Sequence, residues 1–178
     1  FIHGLARVMV LDEWRTMYGY INKKGEEVIP LNFQLADDYY YRSMRFADHL
    51  VVVGNDNLYA CYNLEGNLVL PMEFSNVCDF RSNRATLLKE GLWGYMNSMG
   101  EIVIPLEYDH ASDFSGNFAV VKKEGHWGAI DSLGTEVIPI KYEANLVFSG
   151  GMALTKLGGK SGFIDRQGKV LLPFIYDH

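Results

Sequence analysis

Histidine and carboxylate side chains are the residues of this sequence best suited to acid–base or metal chemistry. Its five histidines are His3, His49, His110, His126 and His178. They stand at unrelated positions, and no two have the spacing by which a helix presents paired ligands to a metal ion. We therefore expect them at the surface or in turns, and we predict no metal site and no catalytic base.

Three acidic residues, Asp109, Glu143 and Asp177, each follow an aromatic residue at an equivalent place in the sequence. Two carboxylates close together could form a glycosidase-like acid–base pair. Recurrence at one structural position instead favours a role in which each carboxylate hydrogen-bonds to backbone in a turn. The sequence thus predicts structural acids and no enzyme, and catalysis is the weakest of the functions considered.

Two glycine pairs could bind phosphate, and two cysteines could supply a reactive thiol. Gly150-Gly151 and Gly158-Gly159 look like phosphate-binding loops, but no helical pattern follows either pair, so turns are expected and no cofactor. Cys61 stands in an apolar column and is expected to act as a small buried hydrophobic residue. Cys78 lies in the link of its copy, and the sequence establishes no activating charge near it.

Charge and hydropathy exclude two classes of partner. The 178-residue chain has a net charge of −6 and no basic block, which argues against nucleic acid and anionic membrane surfaces. No apolar run reaches the ~20 residues that span a bilayer, so no membrane insertion is expected. Phe1 is not a natural start, so a leader could have been removed. Cytoplasmic and exported locations both stay open.

A repeat of about 34 residues organises the chain. Its prolines are spaced by 41, 34, 34 and 34 residues, with a glycine five residues before and an aromatic residue three residues after each. The prolines are Pro30, Pro71, Pro105, Pro139 and Pro173. We divide the chain into five copies of one domain, residues 1–45, 46–79, 80–113, 114–147 and 148–178.

Each copy predicts a three-stranded antiparallel meander followed by a short link that carries the aromatic residue. Pairs such as Glu124-Gly125 suit a type I′ turn between the first two strands. Asp131-x-x-Gly134 and its counterparts are typical of a type I turn closed by a glycine bulge. The proline is expected to end the third strand or to mark a sheet edge. A left-handed conformation is expected at the fourth residue of each copy, Gly4, His49, Asn83, Asn117 and Gly151.

The second strand is apolar on both faces, as in Trp127-Gly128-Ala129-Ile130. One meander cannot cover both faces, so neighbouring copies are expected to stack. The glycine in this strand indicates a close approach over the backbone, for which we expect an aromatic side chain from the link or the next copy.

Two stretches, WGYMNSMGEIVIPLEY and WGAIDSLGTEVIPIKY, follow the pattern W-G-x-I-D-x-x-G-x-x-V-I-P-x-x-Y, the second throughout and the first except at the Ile-Asp pair. With this pattern the chain resembles the bacterial WG-repeat family, also called KWG repeats. The segment HGLARV resembles the entry strand of that family. Three copies depart from the Trp-Gly pair, with Tyr18-Gly19, Tyr59-Ala60 and Ser161-Gly162. The resemblance implies a β-repeat interaction module from a largely uncharacterised family without known catalytic residues.

Copy one is 11 residues longer than the others and holds the candidate binding residues. Four extra residues fall in its first hairpin, and seven follow its proline. Insertions in repeat proteins often mark a binding face, and Trp, Tyr and Arg are enriched at binding hot spots. The candidate partner-binding residues are Trp14, Tyr39, Tyr40, Tyr41, Arg42 and Arg45. The competing interpretation is that they cap a face that has no preceding neighbour.

The predicted fold is all-β, with tandem three-stranded meanders of about 34 residues stacked as an elongated array; the alternative is a closed small β-propeller. The predicted function is a non-catalytic scaffold for protein–protein interaction, with an unknown protein partner. The alternative is a glycan- or cell-wall-binding module built on aromatic-rich hairpins. That alternative requires exposed Trp93 and Trp127, whereas the scaffold is expected to protect them. The oligomeric state is left open.

Overall fold

Turn-forming residues at regular intervals break the chain into short strands, as the repeat predicts. A computed structural model describes residues 1, 3–12, 15–36, 50–78 and 80–177. These residues form 19 strands, and no helix occurs among them. The fold is therefore all-β, a tandem series of small antiparallel sheets, as predicted.

The strands form five meander sheets in chain order. Sheet 1 contains β1 (Leu5–Asp12), β2 (Arg15–Asn22) and β3 (Glu27–Phe33). Sheet 2 contains β4 (Leu35–Ala36), β5 (Leu50–Asn55), β6 (Leu58–Asn63) and β7 (Leu68–Phe74). Sheet 3 contains β8 (Asn76–Val77), β9 (Ala85–Lys89), β10 (Leu92–Met96) and β11 (Ile102–Tyr108).

Sheet 4 contains β12 (His110–Ala111), β13 (Phe118–Lys123), β14 (His126–Asp131) and β15 (Glu136–Tyr142). Sheet 5 contains β16 (Val147–Ser149), β17 (Met152–Leu157), β18 (Lys160–Asp165) and β19 (Val170–Tyr176). By contacts the chain divides into two compact units, residues 1–90 with 95–103 and residues 91–94 with 104–178.

Sheets 2 to 5 each have a first strand that the sequence analysis did not predict. This strand has two or three residues and lies within the link, where it pairs with the following long strand, as His110–Ala111 does with β13. The link is thus the edge strand of the next sheet. The three long strands of each copy agree with the predicted meander.

The two kinds of turn follow from residues that tolerate a left-handed backbone. Glu124 and Gly125 have φ values of 50° and 81°, the pattern of a type I′ hairpin turn. In the second turn, the Gly134 N–H donates to the Asp131 carbonyl oxygen at 3.0 Å, and Gly134 has a φ of 86°. Both turn types were predicted. Of the expected left-handed positions, Gly4, Asn83 and Gly151 are confirmed, Gly116 has the positive φ in place of Asn117, and His49 lies outside the described residues.

The repeated proline lies inside the third long strand, not at its end. Along β14 and β15, Trp127 pairs with Tyr142 and Ala129 pairs with Ile138, so β15 has two extra residues between these pairs. This bulge holds the proline, and the strand continues to the aromatic residue that was assigned to the link. The expectation that the strand ends at the proline is wrong. The alternative, that the proline marks a sheet edge, is confirmed, because the third long strand is an edge strand of its sheet.

The bulge also explains the glycine beside each tryptophan. A Cβ atom on Gly128 would lie 2.7 Å from the Ile138 carbonyl oxygen and from the Ile140 Cα. The close approach was predicted, but the expectation of an aromatic side chain is wrong here, since the neighbours are backbone of the same sheet and the Ile140 side chain. Only beside Gly162 does an aromatic ring, that of Phe174, come closest, at 2.7 Å.

Neighbouring sheets pack face to face within each compact unit. In the first unit, Ile29 and Phe33 of β3 share a buried cluster with Val51 and Val53 of β5. In the second unit, Ile138 and Tyr142 of β15 share a buried cluster with Ala153 and Ile164 of sheet 5 and with Leu146, which immediately precedes that sheet. In each of these two pairs, one face of a sheet is therefore buried against its neighbour, as stacking of the copies predicts.

Candidate partner-binding site

A row of four side chains crosses sheet 4 near the ends of its strands. His110 pairs with Lys122, Lys122 with Trp127, and Trp127 with Tyr142. Directly paired residues of antiparallel strands project from the same face. The register therefore places an imidazole, an ammonium and two aromatic rings side by side on one surface.

Three rings from two neighbouring copies form a stack in the second compact unit. The centroid of the His110 ring lies 5.3 Å from that of Trp127 and 6.1 Å from that of Trp93. The interplanar angles are 55° and 43°. We call these three residues the aromatic ladder. Its tryptophans are half-buried, and His110 is exposed.

Two lysines lie over aromatic rings at the same site. The Lys122 Nζ is 5.6 Å from the centre of the Trp127 ring, and the Lys141 Nζ is 5.6 Å from the centre of the Tyr142 ring. Both contacts lie within the range of cation–π attraction. Within the described part of the chain, neither lysine has a carboxylate at ion-pair distance.

A third lysine, Lys123, is held differently. Its Nζ lies 3.0 Å from the Glu107 carboxylate and 5.8 Å from the centre of the Tyr108 ring. Burial, together with the negative charge of Glu107, raises the pKa of Tyr108 to about 12. Tyr108 is consequently a neutral, packed side chain at physiological pH.

All three acids were expected to hydrogen-bond to backbone in a turn, and two of them do. The Asp109 Oδ2 accepts a hydrogen bond from the Gly125 N–H at 2.9 Å, in the hairpin turn of sheet 4. Glu143 does the same for Gly159 of sheet 5, at 3.0 Å. Asp177 instead lies 2.6 Å from the Lys160 Nζ within its own sheet.

The six candidate residues from the sequence, Trp14, Tyr39, Tyr40, Tyr41, Arg42 and Arg45, all lie outside the described residues. Whether these residues form a binding site or a cap therefore stays a prediction.

The structure does describe the two strands on either side of the first insertion. Strands β1 and β2 have eight residues each, against six in β13 and β14, and they remain paired as far as Asp12 and Arg15.

The cysteines and the other side chains that could bind a metal ion are not gathered at one place in the described part of the chain. Cys61 is fully buried, as predicted, and Cys78 is half-buried. Among the described residues, no three His, Cys, Asp or Glu side chains lie together in a way that could hold a metal ion. A groove of about 530 Å³ lies between turns of sheets 4 and 5, and Arg166 is its one charged lining residue. No helix in the described ranges is long and apolar enough to cross a membrane.

Sequence reasoning missed the ladder although its signal was present. Copies three and four are the only ones with tryptophan at the family position, and they are consecutive. His110 lies in the link between them, for which no strand was predicted. Once that link is recognised as a strand, the register places His110 in the same cross-strand row as Trp127, with Lys122 between them.

The fold and the site define a tandem β-repeat protein of the kind that serves as a scaffold or binding module. Five stretches match the family model of the WG containing repeat, at residues 18–41, 59–93, 93–126, 127–160 and 162–178. The chain belongs to the WG-repeat family. These matches begin at the second long strand, whereas the copies defined above begin at the first.

Solved structures share a weaker likeness. The chain is 14% identical to Hsv2p of Kluyveromyces lactis, with a TM-score of 0.42, covering 75% of this chain and 50% of that chain. A second structure of Kluyveromyces lactis Hsv2, with the complete loop 6CD, gives 12% identity and a TM-score of 0.43, covering 72% and 47%. The chain spans about half the length of these proteins, and scores below 0.5 support no inference about its function. No curated protein matches it significantly.

Proposed function

We propose that this chain is a non-catalytic scaffold that binds protein partners, and that the aromatic ladder is its contact surface. The observation that supports the proposal is the stack of Trp93, His110 and Trp127 at the surface of two consecutive copies. Tryptophan is the residue most enriched at the energetic centres of protein interfaces.

The ladder is suited to binding because its rings are already held in place. Each tryptophan is half-buried and contacts the imidazole of His110, so little side-chain entropy is lost when a partner covers it. The partner also buries the apolar area of the rings that is exposed in the free chain. A pre-ordered aromatic surface therefore yields more of its contact energy as affinity than a mobile one.

The charges around the ladder indicate the chemistry of the partner. Lys122 and Lys141 lie over aromatic rings without a carboxylate partner among the described residues, whereas the nearby Lys123 is paired with Glu107. A partner segment that places a carboxylate next to an aromatic or aliphatic side chain would satisfy both features. We propose that the ladder binds acidic, apolar polypeptide segments.

Glycan binding is the competing function, because half-exposed tryptophans can also stack on sugar rings. In this structure the space between Trp93 and Trp127 is filled by the His110 ring. A sugar ring could lie only on the outer edge of the ladder, not as a layer between successive tryptophans. This arrangement favours the protein partner.

The proposal includes no catalytic step. The ring contacts of His110 are to tryptophans, and the neighbouring Asp109 carboxylate accepts the Gly125 N–H. Neither residue is therefore arranged as a base with an orienting acid. We propose no cofactor for the same site.

Selection from a peptide library, run beside a glycan array, tests the proposal. Peptides selected on the intact chain should be acidic and apolar, and Trp93→Ala or Trp127→Ala should weaken their binding at least about tenfold, or about 1.4 kcal/mol. Leu133→Ala is the matched control, since Leu133 is an exposed apolar residue outside the ladder. Binding that is indifferent to both tryptophans, or binding of glycans alone, would contradict the proposal.

A further inference from the structure

The groove of about 530 Å³ between sheets 4 and 5 lies within the second compact unit. One side is the turn of residues 115–118, which leads into β13. The other side is the turn between β18 and β19, with Arg166 and Gln167, and Val137 of β15 completes the lining. Every lining residue except Phe118 is exposed, so the groove is open to solvent. Its volume falls within the range of ligand-binding pockets.

The groove is open because the turn of sheet 5 does not pack on Val137. Between sheets 1 and 2 the corresponding valine is covered, since a Cβ atom on Gly66 would collide with the carbonyl oxygen and the side chain of Val28. In sheet 5 the three atoms nearest to a Cβ on Gly168 all belong to Ile138, the closest at 3.4 Å. Val137 is accordingly exposed, at 38%, whereas Val28 is half-buried.

Arg166 gives the groove a single positive charge. No carboxylate in the described part of the chain lies at ion-pair distance from it. The adjacent Asp165 binds backbone instead, since its Oδ1 accepts the N–H groups of Gln167 and Lys169 at 2.9 Å each. The fork of N–H groups on a guanidinium matches the two oxygens of a carboxylate. One positive charge balances one carboxylate, but not a phosphate group of about −1.5 to −2 charges.

Three neutral polar side chains surround the same groove. Asn117 and Gln167 each carry an amide, which both donates and accepts hydrogen bonds, and Ser115 carries a hydroxyl. A peptide group has the same two needs, because its N–H requires an acceptor and its C=O requires a donor. The polar lining therefore suits a ligand in which a peptide group stands next to the carboxylate.

Phe118 and Val137 add an apolar surface to the groove. The Phe118 ring lies edge-on to Phe148, with ring centroids 5.3 Å apart at an interplanar angle of 71°, and it packs against the buried cluster between sheets 4 and 5. The ring is thus held in place before a ligand arrives, which reduces the entropy lost on binding. An apolar side chain of the ligand fits here.

From this lining we infer that the groove binds the C-terminal end of a polypeptide whose last residue is apolar. Arg166 pairs with the terminal carboxylate, Asn117 and Gln167 hydrogen-bond to the last peptide group, and Phe118 with Val137 contacts the last side chain. A chain terminus joins these three features within one residue, whereas in an internal aspartate or glutamate the carboxylate is itself the side chain. This site shares no residue with the aromatic ladder, so either can exist without the other.

An NMR titration of the intact, nitrogen-15-labelled chain with acetyl-Ala-Phe, which ends in a free carboxylate, tests the inference. Binding should be weak, because an exposed ion pair contributes little. The backbone amide signals of residues 115–118, 166 and 167 should shift and saturate. Acetyl-Ala-Phe-amide lacks the charge, and 3-phenylpropionate lacks the peptide groups. Each should bind at least about threefold more weakly than acetyl-Ala-Phe.

Variants at exposed positions separate the groove from other charges and from the ladder. Arg166→Gln should weaken binding of acetyl-Ala-Phe at least about threefold, and Val137→Asp, which adds a negative charge to the groove, should abolish it. Lys169→Gln is the matched control, because Lys169 is an exposed cation close to the same turn but outside the lining. Lys169→Gln and Trp93→Ala should both bind like the parent.

Four results would overturn the inference. They are the absence of saturable shifts at the groove, equal binding of acetyl-Ala-Phe and its amide, equal binding of 3-phenylpropionate, and equal effects of Arg166→Gln and Lys169→Gln. Loss of peptide-library binding in Trp93→Ala with unchanged binding of acetyl-Ala-Phe would leave the groove intact, so the two proposals fail separately.

Discussion

The imidazole of His110 lies against the indole of Trp127, with ring centroids 5.3 Å apart at an interplanar angle of 55°. Because Trp93 contacts the same imidazole, one link residue holds the tryptophans of two copies in place. The ladder therefore depends on a side chain that belongs to neither Trp-Gly motif.

Removing that side chain should expose the tryptophans. In a Trp14→Phe background, where Trp93 and Trp127 are the remaining tryptophans, His110→Ala should shift the emission to the red and increase quenching by acrylamide. The lost ring contacts should also lower stability by about 0.5–1.5 kcal/mol. His110→Phe, which keeps a ring, is the control and should behave like the parent. Unchanged emission and quenching in His110→Ala would mean that the imidazole does not hold the ladder.

A side chain in place of the glycine beside Trp127 should destabilise the fold, and a larger one should do so more. A Cβ on Gly128 would lie 2.7 Å from backbone atoms of Ile138 and Ile140, which cannot rotate away as a side chain can. Gly128→Val should reduce the free energy of unfolding by about 1–3 kcal/mol or more, measured by urea denaturation. Gly128→Ala should cost less, since Ala60 fills the corresponding position of sheet 2. A neutral Gly128→Val variant would show that the bulge does not press on the glycine.

The turn acid Asp131 should make stability depend on pH in the acidic range. Hydrogen bonds from the backbone N–H groups of Thr135 and Leu133 hold its pKa below the ordinary value. A lowered pKa in the folded state stabilises the protein above the unfolded pKa, and this stabilisation is lost as pH falls through the folded pKa. We expect a melting temperature that decreases on acidification through that window.

Two variants of Asp131 separate its charge from its hydrogen bonds. Asp131→Asn should keep the turn at neutral pH, because Asn22, Asn63 and Asn97 accept the same backbone N–H groups in other sheets. It should also reduce the acid dependence. Asp131→Ala should melt at a lower temperature at every pH. An acid dependence identical in Asp131→Asn and the parent would rule out Asp131 as its source.

The insertions of copy one supply a separate prediction, which concerns residues outside the described ranges. Trp14 and Tyr40 are expected on the same edge of the first meander, since a first hairpin turn and the end of a third strand meet there. If they form a binding site, Trp14→Ala with Tyr40→Ala should abolish partner binding at an unchanged melting temperature. If they form a cap, the melting temperature should fall. A double variant that changes neither property would refute both interpretations.

The sequence predicted the features that depend on single residues at fixed spacing. The type I′ turn at Glu124-Gly125 and the bulged turn at Asp131–Gly134 follow from local backbone preferences, so they were predictable without any tertiary contact. Strand β12, with two residues, is too short to show an alternating pattern. The partner over Gly128 was misassigned because a bulge in β15 depends on register, which no spacing in the sequence displays.

The candidate site was less predictable for a similar reason. Trp93 and Trp127 were identified, but their contact through His110 requires the pairing of His110 with Lys122. That pairing exists only because the link becomes a strand of the next sheet.

Site-specific photo-crosslinking in native cells tests the central claim most directly. A benzophenone amino acid in place of the exposed His126, next to Trp127, should give a discrete covalent adduct with another protein under ultraviolet light. The adduct should disappear when Trp93 and Trp127 are both replaced by Ala. The same crosslinker at Leu133, away from the ladder, should not produce it. Absence of any adduct at residue 126, or an adduct that persists without the two tryptophans, would contradict the account.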